Sequence, residues 1–523
     1  MLVEKQGKVG TVRPFDESGI TRRADGVLAY IDLDASLVTM LDRARREFSS
    51  RQAVVEPGAG SATYAQLWRR ATEVAGGLHA AGVARGDRVA LSLVNGLDWV
   101  VTFFGIVLAG ATVVPVNFRL TTDEIGYILD DSGAALHIDD PRAIPTGSPR
   151  HVDDVEADEL AAIFYTSGTT GRPKGAMTTH RNLLSINETI RRINSFLPDE
   201  EIRTLVSVPL FHVTGCNAQL LPALSAGAQT IVLPRFDIGS YVQAIEQHQA
   251  NLLVAVPAIY AQLIRDQRFI DLDRSHLVRV LYGGAPMAPE IIARLRELMP
   301  DARLGNGYGL SETSSVSTRL PDDMCGLRPE SVGFATPVVE LDILEPDATG
   351  AGELLIRGEN VVKGYWGQPQ TWADSTHNGW FRTGDVCTLD NEGFCTLLDR
   401  RKDMIVRGGE NVYSVEVENA IIEHPAVLEV AVLPVPDDIM GERVGAVVVL
   451  RPGMQVTYED VLRTAAEKVA PFKLPEYLDI REQLLPRNPG GKVLKRELRD
   501  LDWGPRRRLD NLSRHEGSSN GER

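Results

Sequence analysis

The sequence is poor in cysteine. Its four, Cys216, Cys325, Cys387 and Cys395, form no CxxC pair and stand near no histidine at zinc-ligand spacing, which excludes a disulfide scaffold and a zinc ribbon and points to a reducing compartment. Positive charge is also in deficit. With 55 Lys and Arg against 71 Asp and Glu, the formal net charge is -16, so the chain offers no broad surface for nucleic acid, and any anion must be met by a local cluster. The N-terminal MLVEKQGKVG lacks the apolar core of a signal peptide. Long hydrophobic runs are nearly absent too. The one segment that could be taken for a membrane span is 99–116, eighteen residues without a charge, and its Gly105, Gly110 and Pro115 divide it instead into a buried helix ending near Ala109 and a β-branched strand from Thr112.

What is present is enough apolar material, 43% of 523 residues, for more than one hydrophobic core. Helical and strand-like runs alternate. Tyr64 to Ala81 has helical periodicity and stops at Gly82, and 88–94 reads as a strand. Strands at 204–208, 229–233 and 251–256 are separated by helices after Gly215 and from Gly239. This βα order predicts a mostly parallel sheet covered by helices. Beyond Asp399 the charged run ArgArgLysAsp leads into a shorter segment with strands at 429–433 and 444–450 and a helix at 458–469. From Gly504 the chain is polar with no apolar face, which reads as a disordered tail over 504–523.

The stretch YTSGTTGRPK, Tyr165 to Lys174, packs hydroxyls, glycines and cations into one bend. It is not a Walker A loop, because Lys174 lies between Pro173 and Gly175 and the following AlaMetThrThr looks like a strand rather than a helix start. It reads as a loop joining two strands. There Thr166, Ser167, Gly168, Thr169, Thr170, Gly171 and Lys174 offer backbone N–H groups, hydroxyls and a cation to a polyphosphate. GNGYG, at 305–309, lacks the GxGxxG spacing of a dinucleotide fold.

Taken together, YTSGTTGRPKG, GYGLSET (307–313), GWFRTGD (379–385), DRRKDMIVRGGENV (399–412) and PRNPGGK (486–492) resemble, in order and spacing, the adenylate-forming superfamily of acyl-CoA synthetases, luciferases and peptide-synthetase adenylation domains. The resemblance spans roughly residues 50–497 and is nearest to a fatty or aryl acyl-CoA synthetase. It implies an α/β fold: a large N-terminal domain of helix-covered sheets over 1–399, carrying the ATP and acyl sites, and a small mobile α+β C-terminal domain over 400–503. It implies an enzyme that uses ATP and Mg2+ to turn a hydrophobic carboxylic acid into an acyl-adenylate, then passes the acyl group to CoA with release of AMP and pyrophosphate. Three alternatives stay open on the same residues: an acyl-AMP ligase that hands the acyl group to a carrier protein, an oxidative luciferase-like enzyme, and a non-catalytic acyl-nucleotide sensor. A cytoplasmic location is expected, with peripheral membrane contact and oligomerisation left open.

The resemblance also implies residue roles. Glu312 matches the magnesium-side glutamate. Ser311 stands where relatives more often carry threonine, and either hydroxyl can reach a phosphate oxygen. Asp385 and Arg400 match the pair on the ribose hydroxyls. Gly283, Gly284 and Ala285, with Asn306, Gly307, Tyr308 and Gly309, correspond to the segments flanking adenine. Lys402 takes the hinge position, Lys492 the lysine that enters during adenylation, and Gly408 and Gly409 the passage for the pantetheine arm. His212, Cys216 and Met287, with 257–260 and 314–317, are expected around the acyl group, and His212, which borders the substrate, is counted with Thr166, Glu312 and Lys492 among the catalytic residues. The segment 138–158 is shorter than in many relatives, which leaves any contact carried there unassigned.

Overall fold

The computed structural model describes residues 14–166, 172–197, 199–285, 287–487, 493–499, 501 and 503. The chain divides into two compact units. One comprises Met1–Leu344, Leu354–Thr383 and Leu389–Thr396; the other Glu345–Glu353, Gly384–Thr388 and Leu397–Arg523.

In the first unit the run 99–116 divides as its composition predicts. Leu97–Leu108 is a helix buried along nearly its whole length, and Thr112–Pro115 is a strand. That strand belongs to a sheet ordered Leu136–Ile138, Arg88–Leu91, Thr112–Pro115, Leu160–Thr166, Lys174–Thr179. The first four strands run parallel, and the last turns back antiparallel through the hydroxyl-rich bend. The helix Tyr64–Ala80 packs against Leu97–Leu108. Thr63 caps it, accepting from the Gln66 N–H while the Gln66 side chain accepts from the Thr63 N–H.

A second, larger sheet carries the predicted βα alternation. Gln52–Glu56, Gln229–Val232, Arg203–Val206, Leu252–Ala255, Arg279–Gly283 and Arg303–Leu310 lie side by side and parallel. The expectation of a mostly parallel sheet holds up to Arg303–Leu310. There a tight 3-10 turn at Ser311–Thr313 reverses the chain, so Ser315–Leu320 and Ser331–Ala335 continue the sheet antiparallel. Parallel pairing needs a crossover helix, and this reversal leaves no room for one.

The region after Gly215 departs from the plain helix that its sequence predicts. The helical turns Val213–Gly215 and Leu221–Ser225 are joined by a π-helical turn, Cys216–Leu220, closed by the Leu221 N–H donating to the Cys216 carbonyl. The helix enters tightly at Gly215, where a Cβ would fall 2.4 Å from the Pro209 carbonyl oxygen.

The second unit has its own sheet, ordered Glu410–Val412, Ile405–Arg407, Gly441–Leu450, Val427–Asp437, with Tyr477–Arg481 parallel to Gly441–Leu450. The helices Ser414–Ile422 and Tyr458–Ala466 contribute Val417, Ile421, Val461 and Ala465 to one apolar cluster with Val432, Val444 and Val448.

Candidate active site

The reversal at Ser311–Thr313 is held from within. Thr313 is buried, and its hydroxyl accepts from the Leu310 N–H at 2.9 Å and lies 3.0 Å from the Ser315 carbonyl, to which it donates. The next residue, Ser314, takes a left-handed φ of 54°. This fixes the backbone around Glu312, whose carbonyl accepts from the Val362 N–H at 3.0 Å. The Glu312 carboxylate is fixed in turn by the Tyr365 hydroxyl, which donates to Oε1 at 2.8 Å. Burial, with the neighbouring negative charge of Glu312, pushes the Tyr365 phenol upward, so the proton stays on tyrosine.

The Lys174 ammonium lies over the Tyr365 ring, 5.0 Å from its centroid. Lys174 stands directly opposite Thr166 where the two strands of the bend pair. The structure thus places Thr166, Lys174, Tyr365 and Glu312 in one connected group, a cation over one aromatic ring and a carboxylate at its hydroxyl. Tyr365 was not singled out from the sequence: LysGlyTyrTrp carries no motif that marks a tyrosine as a carboxylate's partner. Ser167, Gly168, Thr169, Thr170 and Gly171 lie outside the described residues, as does Lys492.

Gly283 ends its strand directly opposite Gly307, and a Cβ on Gly283 would fall 2.4 Å from the Gly307 carbonyl oxygen. Gly284 follows at φ 78°, a conformation that suits glycine, and with Ala285 it is exposed. Asn306 is buried, donating weakly to the Ser331 carbonyl at 3.4 Å, while Tyr308, Gly309 and Ser311 are partly accessible.

These strand ends form one wall of a cavity of about 100 Å³. Gly283, Gly284, Gly307, Tyr308 and Gly309 line it, as do Val213, Thr214, Ala218 and Gln219 from the segment with the π-helical turn. Ser315 and Val316, from the expected stretch 314–317, also line it. Cys216 and Met287 sit elsewhere: both are buried, Cys216 in the apolar cluster that includes Leu183 and Leu220, Met287 in the one that includes Tyr260. Neither they nor 257–260 contact the cavity. His212 stands just before it, its ring 4.6 Å from that of Phe211. The protein packed around the imidazole, and then the Arg119 charge, pull its basicity well below the ordinary histidine value, which favours the neutral ring at pH 7.

In the second unit Asp385 is buried, and Arg400 Nε lies 3.0 Å from its Oδ1. Two residues further on, Lys402 is exposed in a turn, its carbonyl accepting from Arg499. Gly408 and Gly409 form the two-residue connection between the antiparallel strands Ile405–Arg407 and Glu410–Val412, with φ of 61° and 90°. Positive φ at both positions is what a tight hairpin needs, and glycine supplies it without strain.

Comparison with known proteins places this geometry in a class. A family model described as AMP-binding enzyme matches residues 41–366, and one described as AMP-binding enzyme C-terminal domain matches residues 416–492. The chain belongs to the AMP-binding enzymes. More particularly, it is 35% identical to a feruloyl-CoA synthase of Amycolatopsis sp, over 87% of this chain and 97% of that enzyme. It is 34% identical to the long-chain-fatty-acid–CoA ligase FadD13 of Mycobacterium tuberculosis, over 88% and 97%. Among solved structures, o-succinylbenzoate coenzyme A synthetase from Bacillus subtilis, in complex with ATP and magnesium ion, superposes with a TM-score of 0.81 at 29% identity, covering 88% of this chain and 99% of that one.

Proposed function

We propose that this protein is an AMP-forming acid–thiol ligase that activates a hydrophobic carboxylic acid with ATP and transfers the acyl group to CoA. The observation that carries the reading is the Lys174–Tyr365–Glu312 group, with a mainly apolar cavity lined by Gly309 and Ser315 on the strands that flank Glu312, on a chain that shares family and length with CoA ligases of aromatic and fatty acids.

A carboxylate is a poor acyl donor, and its attack on an α-phosphate brings two anions together. The chain's task is to neutralise and orient them. Lys174, with Thr166 and the hydroxyl-rich bend, meets the phosphates. Gly283, Gly284 and Ala285 and the segment Asn306 to Gly309 flank the adenine, where glycine permits close approach and Tyr308 supplies a flat face. The ribose hydroxyls donate to Asp385 and accept from Arg400. Lys492 bridges carboxylate and phosphate during adenylation. Rotation of a C-terminal domain, 400–503, about Lys402 against a nucleotide-binding domain, 1–399, then brings Gly408 and Gly409 to the pantetheine arm.

Magnesium, when bound with the nucleotide, offsets charge on the phosphate oxygens. It keeps several waters and needs few protein ligands, so a single carboxylate held as rigidly as Glu312 suits it. Among the described residues no cluster of three or more His, Cys, Asp and Glu side chains could hold a metal alone, and a nucleotide-borne magnesium requires none. Ser311 adds a hydroxyl to the phosphates, and neutral His212 borders the reacting carboxylate.

The four cysteines are buried and form no disulfide, which fits a reducing cytoplasm, and no helix among the described residues is long and apolar enough to cross a membrane. A role in fatty-acid or aryl-acid metabolism follows from the same reading. The test is pyrophosphate release from ATP over a panel of acids, with and without CoA. Acid-dependent release followed by acyl-CoA formation is expected. Release without any transfer to free CoA would replace the ligase with an acyl-AMP ligase, and no release with any acid would overturn the reading.

A further inference from the structure

The cavity is walled mainly by apolar side chains, yet one buried side chain in its lining carries a charge. Arg319 lies opposite Gly307 in the antiparallel pairing of Arg303–Leu310 with Ser315–Leu320, and its side chain runs back along the neighbouring strand. It lies over Gly305, where a Cβ would fall 2.1 Å from Nη2, so glycine there is what makes room for the guanidinium. Arg319 is only 6% exposed and lines the cavity. Of its five N–H donors one is used among the described residues: Nη2 donates to Asn194 Oδ1 at 3.1 Å.

The nearby arginines show how this chain treats a buried guanidinium. Arg279, on the other side of Asn194, forms a two-point ion pair with Glu200 and donates to the Asn194 carbonyl at 2.9 Å. The carboxylate nearest in sequence to Arg319, Asp322, is taken by Arg296 at 2.5 Å and by the Leu304 N–H. Asn194 cannot compensate a charge, and its own amide N–H already closes the helix His180–Ile193 by donating to the Ile190 carbonyl at 2.9 Å. Burial lowers the basicity of Arg319 to about 10, which still leaves it protonated at neutral pH. The Asp322 charge acts on Arg319 only from a distance, with no ion pair between them among the described residues, and a buried cation without a directly paired carboxylate is costly.

We propose that Arg319 determines specificity by binding an acceptor oxygen, a carboxylate or a carbonyl, at the far end of the acid that the cavity admits. This rests on the acid–thiol ligase reading. The strand geometry sets the scale: Gly305 is two residues, roughly 7 Å, back from Gly307. The favoured acid is therefore of moderate length, apolar along its middle, with oxygen at both ends. A planar guanidinium suits a carboxylate best, because it can meet both oxygens at once.

The experiment uses straight-chain acids of four to ten carbons in three matched series, ending in methyl, ketone or carboxylate. Each is assayed by kcat/KM for pyrophosphate release and, separately, by titration calorimetry of acid binding. The wild-type protein is expected to prefer a ketone- or carboxylate-ended acid over its methyl counterpart by about 10- to 100-fold, the scale of a hydrogen bond to a charged group. Arg319→Met should abolish or invert that preference while sparing the methyl series. Arg319→Lys should retain part of it for carboxylates. Preference of the wild type for methyl-ended acids at every length overturns the proposal. So does an equal loss across all three series in a folded Arg319→Met. If that variant does not fold, the wild-type panel alone decides. If no acid releases pyrophosphate, the ligase reading fails, and calorimetry still upholds or overturns the role of Arg319 by whether oxygen-ended acids bind more tightly.

Discussion

The Tyr365 hydroxyl donates to Glu312 Oε1 at 2.8 Å, and the two residues are brought together by a turn and a strand connection far apart in the chain. A hydrogen bond to a charged group contributes on the order of 1.5–3 kcal/mol, so Tyr365→Phe frees a carboxylate that the fold otherwise aims. With Glu312 in its proposed role, the variant should need several-fold more magnesium for half-maximal pyrophosphate release. Glu312→Gln, which removes charge but little volume, should shift the same titration further. Identical titrations in all three proteins would take both residues out of the site.

Lys492 is expected to act in one half-reaction only. Lys492→Ala should slow adenylate formation by roughly 100-fold or more, the scale of losing one preorganised charge-stabilising contact. Thioester formation from supplied acyl-adenylate should survive. Equal loss of both steps would make the lysine structural.

Asp385 and Arg400 form a pair in which the carboxylate is buried and the guanidinium partly exposed. Asp385→Asn keeps the shape and removes the charge that accepts from a diol. KM for ATP should rise by about tenfold, the scale of one charge-assisted hydrogen bond, with a smaller change in kcat. An unchanged KM for ATP would separate the pair from the nucleotide.

Lys402 sits in a turn, and among the described residues its N–H makes no backbone hydrogen bond. Lys402→Pro should therefore restrict a torsion without breaking a bond. Single-turnover pyrophosphate release should stay near normal while acyl-CoA formation from preformed adenylate falls steeply. A parallel drop in both would indicate damage to the fold. No drop in either would place the hinge elsewhere.

His180 gives a prediction about stability. Its Nδ1 accepts from the Leu37 N–H at 3.1 Å, and burial lowers its pKa from the ordinary 6.5 to about 4. Between these values the unfolded chain binds a proton that the folded one refuses. Stability from this group is therefore fully present above pH 6.5 and is lost as pH falls toward 4, by roughly 3 kcal/mol at the low end. The fall in Tm between pH 7 and pH 4.5 should be smaller for His180→Gln than for the wild type. Equal slopes would assign the acid sensitivity to other groups.

Much of this was legible from local pattern. The division of 99–116 into helix and strand follows from glycines and β-branched residues that act within a few positions. The strand after Lys174 follows from turn chemistry that is equally local, whereas Gly408 and Gly409 were reached only through the motif order, and their hairpin came with the structure. The Asp385–Arg400 pairing was reachable only through the order and spacing of motifs.

Contacts between distant segments were decided by tertiary structure. Tyr365 meets Glu312 because strand packing carries an unremarkable loop to a rigid turn, and no spacing rule records that. Cys216 lies in the core while Ala218 and Gln219 line the cavity because one π-helical turn shifts the side-chain register, and an apolar run does not announce such a turn. Arg319 reads in sequence as one more cation at a strand end. Its burial, and the lack of a carboxylate partner among the described residues, exist only once Gly305, Asn194 and the Arg279–Glu200 pair have been assembled around it. Local sequence set the elements and their order, since propensity and turn chemistry act over short range. Which side chains share a cavity or a charge was set by packing, since that depends on residues a hundred positions away.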